Sequence, residues 1–225
     1  MFSHSNYSEH LSKSRGFIGP GYGFHAASFR NARHIDTKED WIKASIGIVL
    51  VLIAQMITMA AMGRHAICQC GFVKLWHGVL MSSDTSQHLF DWYSFTHVLH
   101  GLIFYFLIRL MFPKLSLAYS LLVAFSVEGL WEVLENSDYA IKYYRSGAVV
   151  TDKFGDTLVN SFTDTIVIVV GFYLAYKWPV WLSTAFLVLT EILLAVFAQG
   201  NLSILLFRML AELFALMGFG TSQYH

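Results

Sequence analysis

Residues 90–113 read FDWYSFTHVLHGLIFYFLIRLMFP, and this stretch decides the fold. From Phe90 to Phe112 it is apolar enough and long enough for a bilayer crossing, which takes about 20 residues for roughly 30 Å of hydrocarbon. Pro113 stops a helix there. Yet the same stretch carries His97 and His100. Ionisable groups at membrane depth are costly and persist where they face partners or trapped water. A segment that predicts a transmembrane helix therefore also predicts a site.

Working outward, a first span is expected from Trp41 to Met62, interrupted only by Gln55 and Thr58, and it reads as a plain anchor. A third is expected from Leu115 to Leu134, a fourth from Phe154 to Lys177, and a fifth, after Pro179 and Trp181, to Ala198. Leu202 to Gly218 holds Arg208 and Glu212 four apart on one helix face, which suits a sixth span or a helix along the membrane surface. The fold class is all-α, a polytopic transmembrane helix bundle of five or six spans over residues 41–220. Residues 1–40 are rich in Ser, Gly, His and Arg and predict a disordered tail.

Composition agrees. The chain is 56% hydrophobic and 13% charged with a mean hydropathy of +0.52, beyond the apolar share of an ordinary soluble domain. Fifteen basic residues balance fifteen acidic ones, which excludes the basic face of a nucleic-acid binder and leaves membrane lipids as the expected partners. No apolar core interrupts the first forty residues, so no cleavable signal peptide is expected. Lys13, Arg15, Arg30, Arg33 and Lys38 precede the first span and place the tail in the cytoplasm. The loop from Gly63 to Leu89 is then outside, on a face where acidic residues outnumber basic ones.

Alternation of span direction sets depth. At about 1.5 Å per residue, His97 and His100 lie roughly 10 to 15 Å below the start of their span, Glu128 roughly 9 Å from the end of the next, and Asp164 roughly 15 Å into the fourth. Glu132 and Asp156 sit nearer the rim of the same half of the bilayer. Ser94, His97 and His100 form one helix stripe, Glu128, Glu132 and Glu135 a second, and Asp156, Asn160 and Asp164 a third. Three polar stripes at matched depth lower their cost by facing one another. A shared polar cavity open to the outer side is predicted, with Asp91 also on its lining.

Imidazole with carboxylates suits a divalent transition metal such as Zn, Fe or Mn. His97, His100, Glu128 and Asp164 are the candidate ligands. Glu132 and Asp156 are the candidate catalytic groups, one of them the general base for a metal-activated water attacking a lipid or envelope substrate. The spacing matches no diagnostic signature, there being no HExxH and no paired ExxH motif. Two other readings stay open. The same residues could form a structural polar network in a non-enzymatic scaffold or assembly protein. They could also relay protons or ions, although their confinement to one half of the membrane leaves only Glu191 deeper in the other spans.

Cys68 and Cys70 form a CxC pair on the presumed outer side, where bridging such near neighbours is expected to be strained; a metal-handling pair is one reading, and free or intermolecularly oxidised thiols are at least as good a one. Trp76, Trp92, Trp131, Trp178 and Trp181 fall near predicted interfaces and suit an aromatic belt.

Four stretches carry a resemblance: IxQCGxVKLWHG at Ile67–Gly78, with Cys68 and Phe72 at the variable places, SQHLFDWYSFTHVLHG at Ser86–Gly101, EGLWEVLEN at Glu128–Asn136 and GDTLVNSFTDT at Gly155–Thr165. Together they resemble an uncharacterised UPF-class family of bacterial multi-pass inner-membrane proteins, a domain of unknown function. The resemblance covers about Gly63 to Leu206 and implies the bacterial cell inner membrane without implying an activity. The order Asp91, His97, Glu128, Asp156, Asn160, Asp164 bears a fainter likeness to the VanZ-like membrane proteins, which are associated with envelope and glycopeptide-antibiotic phenotypes.

Overall fold

Asp36 is the first residue placed by the computed structural model, which describes residues 36–79, 82–147 and 155–197. Most of the expected tail and the expected segment from Leu202 to Gly218 lie outside the described residues. Within them, helices α1 (Lys38–Ala61), α2 (Ser94–Met111), α3 (Leu117–Glu135), α5 (Leu158–Lys177) and α6 (Val180–Phe197) are each long and apolar enough to cross a membrane. A shorter helix, α4 (Asp138–Gly147), occupies part of the polar stretch after α3. This is the all-α bundle that the hydropathy pattern predicts, and five spans lie among the described residues.

The helix starts differ from expectation for local reasons. α1 begins at Lys38 rather than Trp41, because the Thr37 hydroxyl accepts from the Asp40 amide while the Asp40 carboxylate accepts from Thr37, a reciprocal capping box. α2 begins at Ser94 rather than Phe90. Phe90 and Asp91 are drawn into a two-residue parallel pairing, β2, against β1 (Trp76–His77). The Asp91 carboxylate then accepts from the Ser86 and Tyr93 amides at 2.7 Å each, which turns the chain just before the helix. α5 begins at Leu158 rather than Phe154, with Thr157 as N-cap accepting from the Asn160 amide. Asp156 therefore precedes the helix, and the expected stripe of Asp156, Asn160 and Asp164 is not a single helical face.

Leu102, Tyr105, Ile108, Phe125, Ile168 and Phe172 form a buried apolar core, but at the end where α2 begins the polarity of a water-soluble bundle is inverted. Ile46, Leu50 and Ile57 of α1, Leu110 of α2, Leu130 of α3, Tyr173 of α5 and Val196 of α6 are exposed. Gln55, His97, His100, Glu128, Glu132, Asn160, Ser161, Asp164 and Thr165 are buried. Exposed apolar faces around a polar interior are stable only where the solvent is hydrocarbon. Gln55 corrects the reading of α1 as a plain anchor. Its side chain is 3% exposed and reaches α5, where its amide nitrogen donates to Ser161 Oγ at 2.8 Å and its carbonyl accepts from Thr165 Oγ1 at 3.0 Å.

α2 and α5 form the closest helix pair, and two glycines allow it. A Cβ on Gly101 would collide with the Ile168 carbonyl, and one on Gly171 with the Val98 carbonyl. Each glycine thus lies against the carbonyl three residues before the other glycine, the reciprocal pattern of a parallel pair. Backbones that approach this closely need small residues at the crossing. Ser94 and His97 on α2 are thereby brought level with Asp164 on α5, while α3, running the other way, delivers Glu128 and Glu132 from its C-terminal half.

A roof built from residues 63–79 and 82–93 and the chain around Gly155 closes this end. The first amides of α5, which no helix can satisfy internally, are taken up by it: Thr157, Leu158 and Val159 donate to the carbonyls of Ser86, His65 and Ala66. Gln87 Nε2 donates to the Gly155 carbonyl at 2.7 Å. Cys68 and Cys70 are joined to each other in a disulfide, against the expectation of free or intermolecular thiols. Their Cα atoms are 5.1 Å apart, within the ordinary bridging range.

Candidate functional site

Glu128 is fully buried and is the hub of the polar interior. His97 Nδ1 lies 2.5 Å from its Oε1, and His100 Nδ1 lies 2.9 Å from Oε2 and 3.2 Å from Oε1. An ionised carboxylate only accepts, so both imidazoles donate from Nδ1 to Glu128, and a neutral ring held this way keeps its Nε2 lone pair for another partner. This is how an outer carboxylate orients metal-binding histidines. Trp131 meets the His100 ring edge-on at 5.3 Å and Phe104 stacks on it at 5.6 Å, which holds the ring orientation.

His97 Nε2 then faces Asp164 Oδ2 at 3.8 Å. That is too long for a hydrogen bond, yet close to the roughly 3.4 Å that separates two ligands bound at about 2.0–2.1 Å to one tetrahedral ion. Glu132 Oε1 lies 3.4 Å from His97 Nδ1, whose proton is already committed to Glu128, and it receives no hydrogen bond. Asp164 Oδ1 is likewise buried without a hydrogen-bond partner. One donor atom each from His97, Glu132 and Asp164 come within 4.8 Å of one another, as do those of His97, His100 and Glu128.

The surrounding hydrogen bonds hold the carboxylates in place. Ser161 Oγ donates to Glu132 Oε2 at 2.7 Å. Ser94 bonds Asp164, and its hydroxyl also accepts from the Asp91 amide at 3.1 Å. Asn136, at the C-cap of α3, accepts from the Asp156 amide at 2.6 Å and donates to Asp156 Oδ2 at 2.8 Å. Asn160 Nδ2 reaches the Leu89 carbonyl at 3.5 Å, and its Oδ1 is buried without a hydrogen-bond partner.

The structure thus gathers His97, His100, Glu128, Glu132 and Asp164 into one cluster. Glu132 stands with His97 and Asp164 rather than apart at the rim, while Asp156 is tied to Asn136 beside the cluster. Asp91 belongs to the roof, and Glu135 is half-buried at the end of α3 outside both donor groups. The cavity expected to open outward is instead covered. Asp156, at 8%, is the most exposed of the buried acids around the cluster. Sequence reasoning missed Gln55, Ser161, Thr165 and Asn136 because none is charged. An amide inside an apolar run was the one signal, and Gln55 carried it. Trp131 was assigned to an interfacial belt but packs on His100. A second set of donors, His77, Asp84 and His88, with Cys68 and Cys70 also near His88, lies in the roof.

The family model described as "Protein of unknown function (DUF2585)" matches residues 59–218. A UPF0314 protein of Paracoccus denitrificans is 41% identical over 169 residues, covering 75% of this chain and 88% of that protein. Others from Rhizobium etli and Brucella anthropi are 42% and 37% identical, covering 71% and 73% of this chain and 82% and 83% of theirs. No solved structure matches. The family region starts within the last turn of α1, so Gln55 lies just outside it.

Proposed function

This chain belongs to the DUF2585 family, whose description names no activity, and from that premise we propose that it is a metal-dependent hydrolase of the bacterial inner membrane acting on lipid or envelope substrates. The observation that carries the proposal is the 3.8 Å approach of His97 Nε2 to Asp164 Oδ2, with Nδ1 of the same ring held by Glu128. A lone pair facing a carboxylate in a buried place calls for a positive charge between them, either a proton or a metal ion, and the 3.8 Å gap is long for a shared proton and suits an ion. A divalent ion there would also satisfy the orphaned oxygens of Glu132 and Asp164, whose burial without a partner is otherwise costly.

In this reading His97, Glu132 and Asp164 hold the metal, Glu128 positions both rings, and His100 belongs to the neighbouring donor group with His97 and Glu128. Glu132 thus takes a ligand place where the sequence alone suggests a catalytic one, and Glu128 a positioning place where it suggests a ligand. A divalent metal held there would supply activation of a water as nucleophile. Asp156, set by Asn136 at the edge of the cluster, is the group placed to take that water's proton. The basic residues ahead of α1 favour a cytoplasmic N-terminus, which puts the roof outside.

A structural network is the second reading. It is favoured by the closure of Gln55, Ser161, Thr165 and Glu132 into one chain of hydrogen bonds. Metal analysis of the purified full-length protein, with His97→Ala and Asp164→Ala beside it, separates the two. Bound Zn, Fe or Mn that is lost in folded variants supports the metal centre, as does hydrolysis of a lipid panel that fails in the same variants. Metal-free wild type with variants that do not fold sinks it.

A further inference from the structure

The roof repeats the inverted polarity of the helices. Between residues 67 and 79 it exposes Ile67, Phe72, Leu75, Trp76 and Val79, with Leu75 69% and Val79 63% exposed. What the roof buries, Cys68 apart, is polar: His77, Ser86, Gln87, His88 and Asp91. A loop bathed in water would be arranged the other way round.

This apolar face joins the membrane-facing end of the bundle. Trp76 packs edge-on against Trp92 at 5.5 Å and against Phe95, in the first turn of α2, at 6.1 Å. Trp92 stacks at 6.2 Å on Phe197, the last residue of α6. Aromatic residues at helix ends are the usual marker of the headgroup level. The Lys74 ammonium, 5.3 Å from the Phe72 ring centroid, sits as a cation does when its stem lies along apolar surface and its head meets lipid phosphate.

We propose that residues 67–79 are a flap seated in the headgroup–acyl boundary of the protein's own bilayer, so that the polar centre beneath it is reached from the lipid phase and takes an amphiphile with a polar head rather than a water-borne solute. The occupant of the apolar face is the lipid itself, by continuity with the belt of Trp92, Phe95 and Phe197. The substrate class rests on the polar centre being a reaction centre. The seating of the flap does not, and its readout needs no metal.

The test uses the full chain with Leu75→Cys, which supplies the free thiol while Cys68 and Cys70 stay bridged, and Val79→Cys as a second position. Each is labelled with an environment-sensitive fluorophore and reconstituted in phosphatidylcholine–phosphatidylglycerol vesicles. Emission should be lost to a nitroxide placed high on the lipid acyl chain and unaffected by aqueous iodide. Quenching by iodide but not by the lipid nitroxide would put the flap in water and overturn the proposal. Shielding from both would mean a protein cover, either residues 198–225 or a second copy, and would overturn it too. For access, a membrane-partitioning carbodiimide should modify Glu132 or Asp164 while a cationic water-soluble carbodiimide does not. Modification by the water-soluble reagent, or by neither, refutes entry from the lipid.

Discussion

Gly101 and Gly171 hold α2 and α5 in backbone contact, each placed against the carbonyl three residues before the other. The contact lies about one helical turn from the polar centre, so the distance from His97 to Asp164 is a consequence of it. Replacing Gly101 with Ala drives a methyl into the Ile168 carbonyl. Gly101→Ala and Gly171→Ala should each destabilise the protein by about 3 kcal/mol, at the upper end of overpacking. Thermal unfolding in detergent measures this, and an unchanged midpoint would show that the two helices do not meet as described.

Glu128→Ala removes the shared acceptor of both imidazoles in a site buried from bulk solvent. Breaking a buried charged contact in this way costs about 3–5 kcal/mol, so the variant should be severely destabilised. Glu128→Gln keeps the shape and should be milder. On the proposed reading it also frees the tautomer of both rings, and metal retention should fall although no metal-binding atom is removed. Equal metal content in wild type and Glu128→Gln would argue against a positioning role.

Gln55 bridges α1 to Ser161 and Thr165 through both ends of its amide. Interhelical hydrogen bonds in membranes are worth about 0.6 kcal/mol on average and at most about 1.7. Gln55→Leu should therefore lower stability by about 1 kcal/mol without unfolding the bundle. A loss several times larger, read from the same melts, would show that α1 docking depends on this residue alone.

Burial, with the neighbouring His77 and Lys74, lowers the pKa of the roof residue His88 below its ordinary value of about 6.5. Above that value neither the folded nor the unfolded form is protonated there, and stability is unaffected. As pH falls through about 6.5 the unfolded chain gains a proton that the folded one resists, so the roof loses stability until the folded pKa is passed. The protection of roof amides against hydrogen exchange, taken relative to the intrinsic rate at each pH, should fall between pH 7 and about 5.5, and His88→Gln should remove that dependence. Protection that is flat with pH in the wild type contradicts the burial of this ring.

Much of the architecture is legible in the sequence alone. Phe90–Phe112 announced a span and a site together, and alternation of direction alone put His97, Glu128 and Asp164 in one half of the bundle. Asp156 was misplaced because four-residue spacing implies a stripe only if the helix has already begun, and Thr157 starts it one residue later. The roof was read as a loop of mixed character, since a pattern of apolar and polar residues without regular period does not say which of them face inward.

Hydropathy and charge in the sequence determined that this chain is a membrane bundle with ionisable groups at a common depth. Those are properties of single segments measured against one thickness of hydrocarbon. Only the tertiary structure decided that Glu128 grips both histidines, that Glu132 stands with Asp164, and that the roof turns Leu75 and Trp76 outward while His77 and His88 turn in. Atom-level partners depend on how each helix is rotated and how closely it crosses its neighbours, and here that was set by two glycines whose role is visible only when the backbones are seen to touch.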